Sequence, residues 1–154
     1  MIPKLILNEI KIRSDRLHPK EAGGFLLGFF KDDAIEVSHL TGPFTGDLAT
    51  RTRFIRKDPR HKLVAVSEWL KSGRICTLVG DWHSHPNGTP VPSSIDTNTW
   101  SKMSKKQNRS MVGIIQGQDD TGVYWHPVNS EQSVSTNLVY EDGTCIIREP
   151  TLPP

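Results

Sequence analysis

The sequence predicts an α/β domain in which strands and helices alternate along the chain. Two continuous apolar runs, residues 25–30 and 110–116, are typical of strands covered on both faces. Residues 34–40 alternate between apolar and polar, as a half-buried strand does. Two segments with helical start and stop signals, 59–71 and 93–107, lie between the strands. We therefore expect one mixed sheet of about six to eight strands with two or three helices.

Length and composition favour one domain without a membrane segment. The chain has 154 residues, of which 35% are hydrophobic and 23% charged. We expect one domain over residues 1–148 and an irregular tail over 149–154. No apolar run approaches the length of a membrane span, and the start of the sequence lacks a secretory signal pattern, which predicts a cytoplasmic protein. A net charge of +2 gives no reason to expect nucleic-acid binding.

The N-terminal segment is predicted as a short strand followed by a helix. Residues 4–7 are apolar enough for a strand, and Asn8 would cap a helix over about 9–17. The choice between the two structures is open here, because Ile10 and Ile12 also alternate as they would in a strand.

A hairpin and a loop follow the first apolar run. Residues 34–40 would pair with that run, with Ile35, Val37 and His39 on one face. Residues 41–50 are rich in Gly, Thr and Pro and are predicted to form a loop.

The next segment is predicted as a strand over residues 51–57 and then a helix. Asp58 would cap the helix, and Pro59 suits its first position. Ser72 and Gly73 would end it. Four apolar residues recur at helical spacing and predict the apolar face of this helix: Leu63, Val66, Trp69 and Leu70.

The second half of the chain is predicted to complete the sheet. A central strand over residues 74–82 leads to His83, and Ser93 or Ser94 starts the helix that ends near Gln107. An Asp142-Gly143 pair predicts a tight turn between the last two strands. The predicted strands after the helix are residues 110–116, 122–128, 136–140 and 144–148.

The stretch from Asp81 to Asp96 carries the chemistry. Side chains two residues apart in a strand point to the same side, so His83 and His85 can approach one metal ion. Pro86 stops the strand, and Asp96 lies one turn into the following helix. Two imidazoles, one carboxylate and a fourth position for water are the ligand set of a catalytic zinc.

A simpler interpretation of part of this stretch exists. Ser93 and Asp96 stand at the spacing of a helix capping box, in which the serine caps and the acid reaches back. A lone H-x-H pair also occurs by chance. The joint pattern H-x-H-P-x6-S-x-x-D fixes five positions and is far more specific than either part.

The pattern resembles the signature of the JAB/MPN (JAMM) metalloproteases. That family also has a Glu in an E-x-x-G-x-L-x-G context, and the segment from Glu21 to Gly28 matches it. The resemblance implies a cytidine-deaminase-like fold with a curved mixed sheet. It implies one zinc ion on His83, His85 and Asp96, with Glu21 as general base and acid and Ser93 stabilising the oxyanion.

Within this family the chain resembles the stand-alone bacterial JAB proteins of CBASS anti-phage operons, by its small size and its G-D-W-H-S-H-P block. That resemblance implies a peptidase that cleaves the bond after the C-terminus of a conjugated protein, a CD-NTase cyclic nucleotide synthase. The reaction would reverse conjugation by an E1/E2-like enzyme. Two alternatives stay open: a non-catalytic MPN scaffold, and a hydrolase that processes a ubiquitin-like sulfur-carrier protein.

Several residues near the motif have two interpretations. Asp81 either orients a ligand imidazole or has another role, and Ser84 is either a hydrogen-bonding partner of the site or a small strand residue. Trp82 and Trp100 either pack in the core or line a substrate groove. The specificity loops are expected at 41–57 and after Trp100, where an extended peptide could add as a strand.

The remaining reactive side chains are predicted to be structural. Cys76 and Cys145 fall in apolar segments, as buried free thiols do. The other histidines lie outside any metal spacing and are expected to be ordinary surface or packed residues: His18, His39, His61 and His126. Residues 51–62 hold six cations and one acid, which is typical of a solvated face but also suits contact with an acidic partner.

Overall fold

The computed structural model describes residues 6–151, and all structural statements concern that part of the chain. It contains three helices, α1 (Ile6–Leu17), α2 (Arg60–Lys71) and α3 (Ser94–Gln107). The ten strands are β1 (Gly23–Phe30), β2 (Ala34–Leu40), β3 (Leu48–Ala49), β4 (Phe54–Ile55), β5 (Thr77–Ser84), β6 (Met111–Gln116), β7 (Thr121–His126), β8 (Val134–Thr136), β9 (Leu138–Glu141) and β10 (Thr144–Arg148).

Eight strands form one curved mixed sheet in the order β8-β7-β6-β5-β1-β2-β10-β9. Only β5 and β6 pair in parallel among the described strands, and α3 makes the crossover between them. Short turns join the antiparallel pairs β1–β2, β6–β7 and β9–β10. At one of them Asp142 and Gly143 both have positive φ, which confirms the predicted tight turn. The predicted α/β class and mixed sheet are confirmed.

Two helices cover opposite faces of the sheet centre. Trp82 and Ile114 belong to the core cluster that includes Ile10 of α1. The alternate residues Asp81 and Gly113 face α3. Because side chains alternate along a strand, the face of β5 that carries Asp81 and His83 is the face on which α3 packs. The sheet therefore places His83, a candidate metal ligand, on the face against which the helix of Asp96 packs.

The predicted strand over residues 4–7 is wrong for Ile6 and Leu7, which begin α1, while residues 4 and 5 lie outside the described part. Asn8 lies inside the helix and is not its cap. Ile10 is fully buried, and Ile6, Leu7 and Leu17 pack against the same core. The buried positions recur with the helical period, and the alternation of Ile10 and Ile12 did not indicate a strand.

In β2 the predicted common face holds for Ile35 and Val37 but not for His39. The register with β1 shifts between the pairs Leu27–His39 and Gly28–Val37. The irregularity inserts an extra residue on β2, so the side chains after it swap faces and Leu40 is buried while His39 is exposed.

The segment predicted as a loop and a strand, residues 41–57, instead holds the short pair β3 and β4. The next helix begins at Arg60, and the Asp58 carboxylate accepts a hydrogen bond from the Arg60 backbone N–H at 2.9 Å. Its predicted apolar face does not face the core. The four residues of that face are exposed by 38–64%: Leu63, Val66, Trp69 and Leu70.

The remaining elements lie near their predicted positions. The central strand is shifted towards the motif and includes His83, and α3 starts at Ser94 as predicted. The strand expected near 136–140 is divided into β8 and β9, which stand at opposite ends of the strand order. None of the described helices has the length and apolar character that crossing a membrane requires.

Candidate metal centre and active site

Three predicted ligands meet at the end of β5. The His83 Nε2 atom lies 3.2 Å from the His85 Nε2 atom. Asp96 lies across from them, with Oδ1 3.1 Å from His83 Nε2 and Oδ2 3.4 Å from His85 Nε2. One potential ligand atom from each residue falls within 4.8 Å of the other two. The H-x-H spacing on a strand and the start of α3 thus converge on one point.

These distances fit a tetrahedral zinc ion. With metal–ligand bonds of about 2.0–2.1 Å, two ligand atoms on a tetrahedron lie about 3.3 Å apart. The separation between the two Nε2 atoms, 3.2 Å, and that between His83 Nε2 and Asp96 Oδ1, 3.1 Å, are close to that value, while the other carboxylate oxygen lies 3.4 Å from His85 Nε2. The donor set of two imidazole nitrogens and one carboxylate is one that zinc accepts. The residues therefore suit a zinc ion with one further coordination position.

Neighbouring groups orient the ligands. The His85 Nδ1 atom lies 2.9 Å from the Thr89 carbonyl oxygen, which can only accept. This contact assigns the proton to Nδ1 and leaves Nε2 with its lone pair facing the centre. The Asp96 Oδ2 atom accepts from the Ser93 backbone N–H at 2.7 Å. Burial alone would raise the pKa of Asp96, but the nearby imidazoles and the Ser93 backbone N–H outweigh it and hold that pKa well below its usual range.

Glu21 sits on the loop before β1 and lines the same cavity as the three ligands. Its backbone N–H donates to the Thr50 carbonyl at 2.7 Å, and the next N–H, of Ala22, donates to the Ser84 hydroxyl at 2.8 Å. Burial raises the pKa of the Glu21 carboxyl, partly opposed by the nearby imidazoles. A carboxyl with a raised pKa, on a backbone held in this way, suits proton transfer near neutral pH.

Ser93 lies at the mouth of the cavity as the N-cap of α3. Its Oγ atom accepts a hydrogen bond from the Asp96 backbone N–H at 3.2 Å. That bond uses a lone pair and leaves the hydroxyl proton available for a substrate oxygen. The capping box and the ligand set are therefore both present, and the two interpretations of this segment are compatible.

The candidate centre opens into a groove of about 530 Å³ with two walls. One wall is the β3–β4 hairpin, and the other is the side of α3 that carries Ile95, Thr99 and Met103. Phe25 also lines the groove. The groove lining mixes apolar with cationic side chains.

The sequence matches the family profile described as prokaryotic homologs of the JAB domain over residues 4–130. The chain belongs to this family. Its similarity extends to a CD-NTase/cGAS isopeptidase from Pseudomonas aeruginosa, with 31% identity over 116 residues, 74% of this chain and 73% of that protein. It extends also to the probable metalloprotease y4qB from Sinorhizobium fredii, with 29% identity over 89 residues, 56% of this chain and 53% of that protein.

The fold has a counterpart among solved structures of low sequence similarity. The solution structure of protein DSY2949 from Desulfitobacterium hafniense superposes with a TM-score of 0.52, at 20% identity, over 93% of this chain and 85% of that one. This likeness concerns the fold alone.

In this JAB-family chain Asp81 has a role that the sequence did not indicate. Its carboxylate is buried and contacts neither imidazole among its described hydrogen bonds. One oxygen accepts from the Trp100 indole N–H at 2.5 Å, and the other accepts from the Arg56 guanidinium. Arg56 also donates to the Gly24 carbonyl at 3.1 Å. Asp81 thus links the strand of the metal ligands to both walls of the groove.

Arg56 is the residue that sequence reasoning missed, because it is one cation in a basic run that suggested a solvated face. Its partner lies 25 residues away in sequence, and no local pattern marks that pairing. Trp82 and Trp100 are both fully buried, which confirms the core interpretation. For Ser84 the structure favours the hydrogen-bonding interpretation. Its hydroxyl accepts a hydrogen bond from the backbone N–H of Ala22, the residue after Glu21.

The other histidines and both cysteines have the structural positions expected of them. His61 and His126 are buried and hydrogen-bonded, and His18 and His39 are exposed. Cys76 and Cys145 are buried free thiols, and burial raises the pKa of Cys145 to about 12. A thiol with so high a pKa is a poor nucleophile.

Proposed function

We propose that this chain is a zinc-dependent isopeptidase that hydrolyses the bond after the C-terminus of a conjugated protein. The observation that carries the proposal is the convergence of His83, His85 and Asp96 at tetrahedral spacing, beside Glu21 and at the end of a groove. Membership of the JAB family and relatives named isopeptidase and probable metalloprotease support a hydrolase.

The residues divide the reaction between them. A zinc ion on His83, His85 and Asp96 would supply Lewis acidity and lower the pKa of water at its open position. Glu21 accepts the proton of the attacking water and later donates it to the leaving amine. The donation matters because an amine is a poor leaving group without a proton.

Ser93 acts on the oxygen of the scissile carbonyl. Its hydroxyl donates to the charge that develops there, while its backbone N–H keeps the Asp96 carboxylate in place. Both tasks arise from its position at the helix start, so this residue stabilises the transition state and organises the ligand set at once.

The groove suits an extended C-terminal tail. The tail would pair with β4, whose described backbone partner is β3 alone, and its side chains would contact Phe54, Ile55 and Ile95. An extended tail has little structure to lose, and β-strand addition reads it by backbone hydrogen bonds. The amine side of the bond, a lysine on a folded target, would lie beyond the metal centre.

The proposed substrate is a CD-NTase joined through its C-terminus to another protein. The relative from Pseudomonas aeruginosa is named a CD-NTase/cGAS isopeptidase, which supports this choice. In this proposal the enzyme acts in the bacterial cytoplasm and reverses an E1/E2-like conjugation reaction in anti-phage defence. Genes for such an enzyme and a nucleotidyltransferase beside this one would support the assignment.

The test uses purified protein, its zinc content, and a synthase extended at its C-terminus. Cleavage that requires zinc and stops with chelator supports the proposal. Glu21→Ala is expected to retain the metal and lose at least a hundredfold in rate. Zinc-free protein that cleaves no such fusion would instead favour a non-catalytic scaffold. Cleavage restricted to a ubiquitin-like sulfur-carrier fusion would support the same reaction on a different substrate.

A further inference from the structure

Exposed cations lie on one wall of the groove and beside the other. Three cations in its vicinity, Arg53, Lys102 and Lys106, have exposed side chains. Within residues 6–151 none of these side chains makes a hydrogen bond or an ion pair. Other cations nearby are paired: Arg56 with Asp81, and Lys105 with Glu131 at 2.6 Å. The three unpaired cations therefore differ from their neighbours, whose charges are compensated by acids.

The two lysines continue the groove wall of α3. At about 100° per residue, Ile95, Thr99, Lys102 and Lys106 fall within about 60° of the helix circumference. Ile95, Thr99 and Met103 line the groove, so Lys102 flanks this wall and Lys106 lies about one turn beyond its last lining residue. Side chains on a helix lean towards its N-terminus, which here directs both lysines back towards the metal centre.

Arg53 supplies a positive charge on the opposite wall. It ends the turn between β3 and β4, where its carbonyl accepts from the Thr50 N–H at 2.9 Å, and its side chain lines the groove. The acids of the groove do not neutralise it: Glu21 and Asp96 belong to the catalytic centre, and Asp81 is already paired. A chain lying in the groove would meet cations from both sides.

We propose that the tail cleaved by this protein carries acidic residues about three to five positions before the scissile bond, which are recognised by Arg53, Lys102 and Lys106. The positions follow from helix geometry. Lys102 and Lys106 lie about 9 and 15 Å along α3 from Asp96 at 1.5 Å per residue, and an extended chain covers those lengths in about three to five residues. The inference rests on the proposed isopeptidase function, since it assumes that the groove holds the acyl side of the bond.

The test uses a ten-residue fluorescent tail joined by an isopeptide bond to the ε-amine of a lysine peptide. Glu, Gln or Lys occupies the three positions in question. We expect the Glu tail to be cleaved with a kcat/KM about three to ten times that of the Gln tail at low salt, because each exposed charge contact contributes a small factor. The Lys tail should be the poorest. The preference should shrink at high salt, where the Debye length falls to a few ångströms.

Charge reversal identifies the residues that read the tail. K102E combined with K106E, and R53E separately, should lower or reverse the ratio between Glu and Gln tails. The matched control is K62E, an exposed helical lysine on α2 outside the groove, which should keep the ratio. Thermal unfolding of each variant checks that the fold is intact. Equal cleavage of the Glu and Gln tails by the natural protein, or an equal loss of preference in K62E, would overturn the proposal.

A binding measurement separates this inference from the proposed reaction. Glu21→Ala protein, with and without zinc, is titrated into the free fluorescent tails, and anisotropy gives the dissociation constants. Tighter binding of the Glu tail than of the Gln tail, lost in K102E with K106E, supports the acidic preference even if no isopeptide bond is cleaved. Absence of cleavage with every tail would then count against the isopeptidase alone, and equal binding of the tails would count against the acidic preference alone.

Discussion

Asp81 is predicted to be the residue whose replacement most weakens the groove without touching the metal ligands. Its carboxylate is buried, with one oxygen on the Trp100 indole and the other on the Arg56 guanidinium. In Asp81→Asn the side chain keeps its shape, but the amide group must present an N–H to one of two donors. Whichever way the amide turns, one former hydrogen bond becomes a contact between donors, and Arg56 loses its counter-charge.

The expected loss of unfolding free energy is about 2–4 kcal/mol. Removing one partner of a buried ion pair costs about 3–5 kcal/mol, because the other charge stays uncompensated. The Arg56 side chain is 15% exposed and keeps its bond to Gly24, which places the cost at the lower end. For a domain of this length the change lowers Tm by about 10 °C.

Urea unfolding followed by tryptophan fluorescence measures this cost, with the m-value as a check that the transition is unchanged in kind. Glu131→Gln is the matched control, since it breaks an exposed ion pair and should cost below about 1 kcal/mol. Asp81→Asn combined with Arg56→Met should cost less than the sum of the two single changes. This account of the buried Asp81 contacts would be refuted if Asp81→Asn lowered the free energy of unfolding by less than about 1 kcal/mol. Strict additivity with Arg56→Met would refute it as well.

Three further predictions concern Ser93, Gly113 and His126. Ser93→Ala should lower kcat about a hundredfold and stability by about 1 kcal/mol, and Ser93→Thr should restore the stability; steady-state kinetics and thermal unfolding separate the two effects. Gly113→Ala should cost several kcal/mol in urea unfolding, because its Cβ would lie 2.1 Å from the buried Trp100 ring. Gly88→Ala, where the nearest atom is 3.8 Å away, should cost under about 0.5 kcal/mol. Burial lowers the pKa of His126 in the folded protein. The neutral imidazole therefore contributes to the free energy of unfolding above pH ~6.5, and this contribution is lost as pH falls below that value. In zinc-free protein, His126→Gln should flatten the slope of unfolding free energy against pH, and an unchanged slope contradicts this.

The convergence of the three candidate metal ligands was predictable because its parts are local in sequence. Two imidazoles on one side of a strand and a carboxylate at a helix start need only short-range rules to come near one another. The position of Glu21 beside them came from a family pattern, since nothing local relates a loop before β1 to the end of β5. The structure relates them through Ser84, whose hydroxyl holds the residue after Glu21.

The rest of the site depends on contacts that sequence patterns do not record. Arg56 follows β4 and pairs with Asp81 of β5, 25 residues away in sequence, so the basic run alone suggested a solvated face. The irregular pairing of β2 with β1 changes the face of every later residue in β2, and alternation alone cannot locate it. The spacing of apolar residues correctly predicted the helix α2, but spacing alone does not show whether the apolar side faces the core or solvent. That side is exposed here, with Leu63 64% accessible.

Asp96 explains why a helix cap and a metal ligand occupy the same segment. A carboxylate has about four lone-pair sites on two oxygens. One site on Oδ2 accepts the Ser93 N–H at 2.7 Å, while Oδ1 remains 3.1 Å from His83 Nε2. The cap bond therefore fixes the rotation of the carboxylate without using the oxygen nearest the imidazole. Because capping is part of helix formation, the ligand is oriented once the chain has folded, and binding of an ion need not order it. In this arrangement the stability of α3 and the geometry of the candidate metal centre depend on the same two residues.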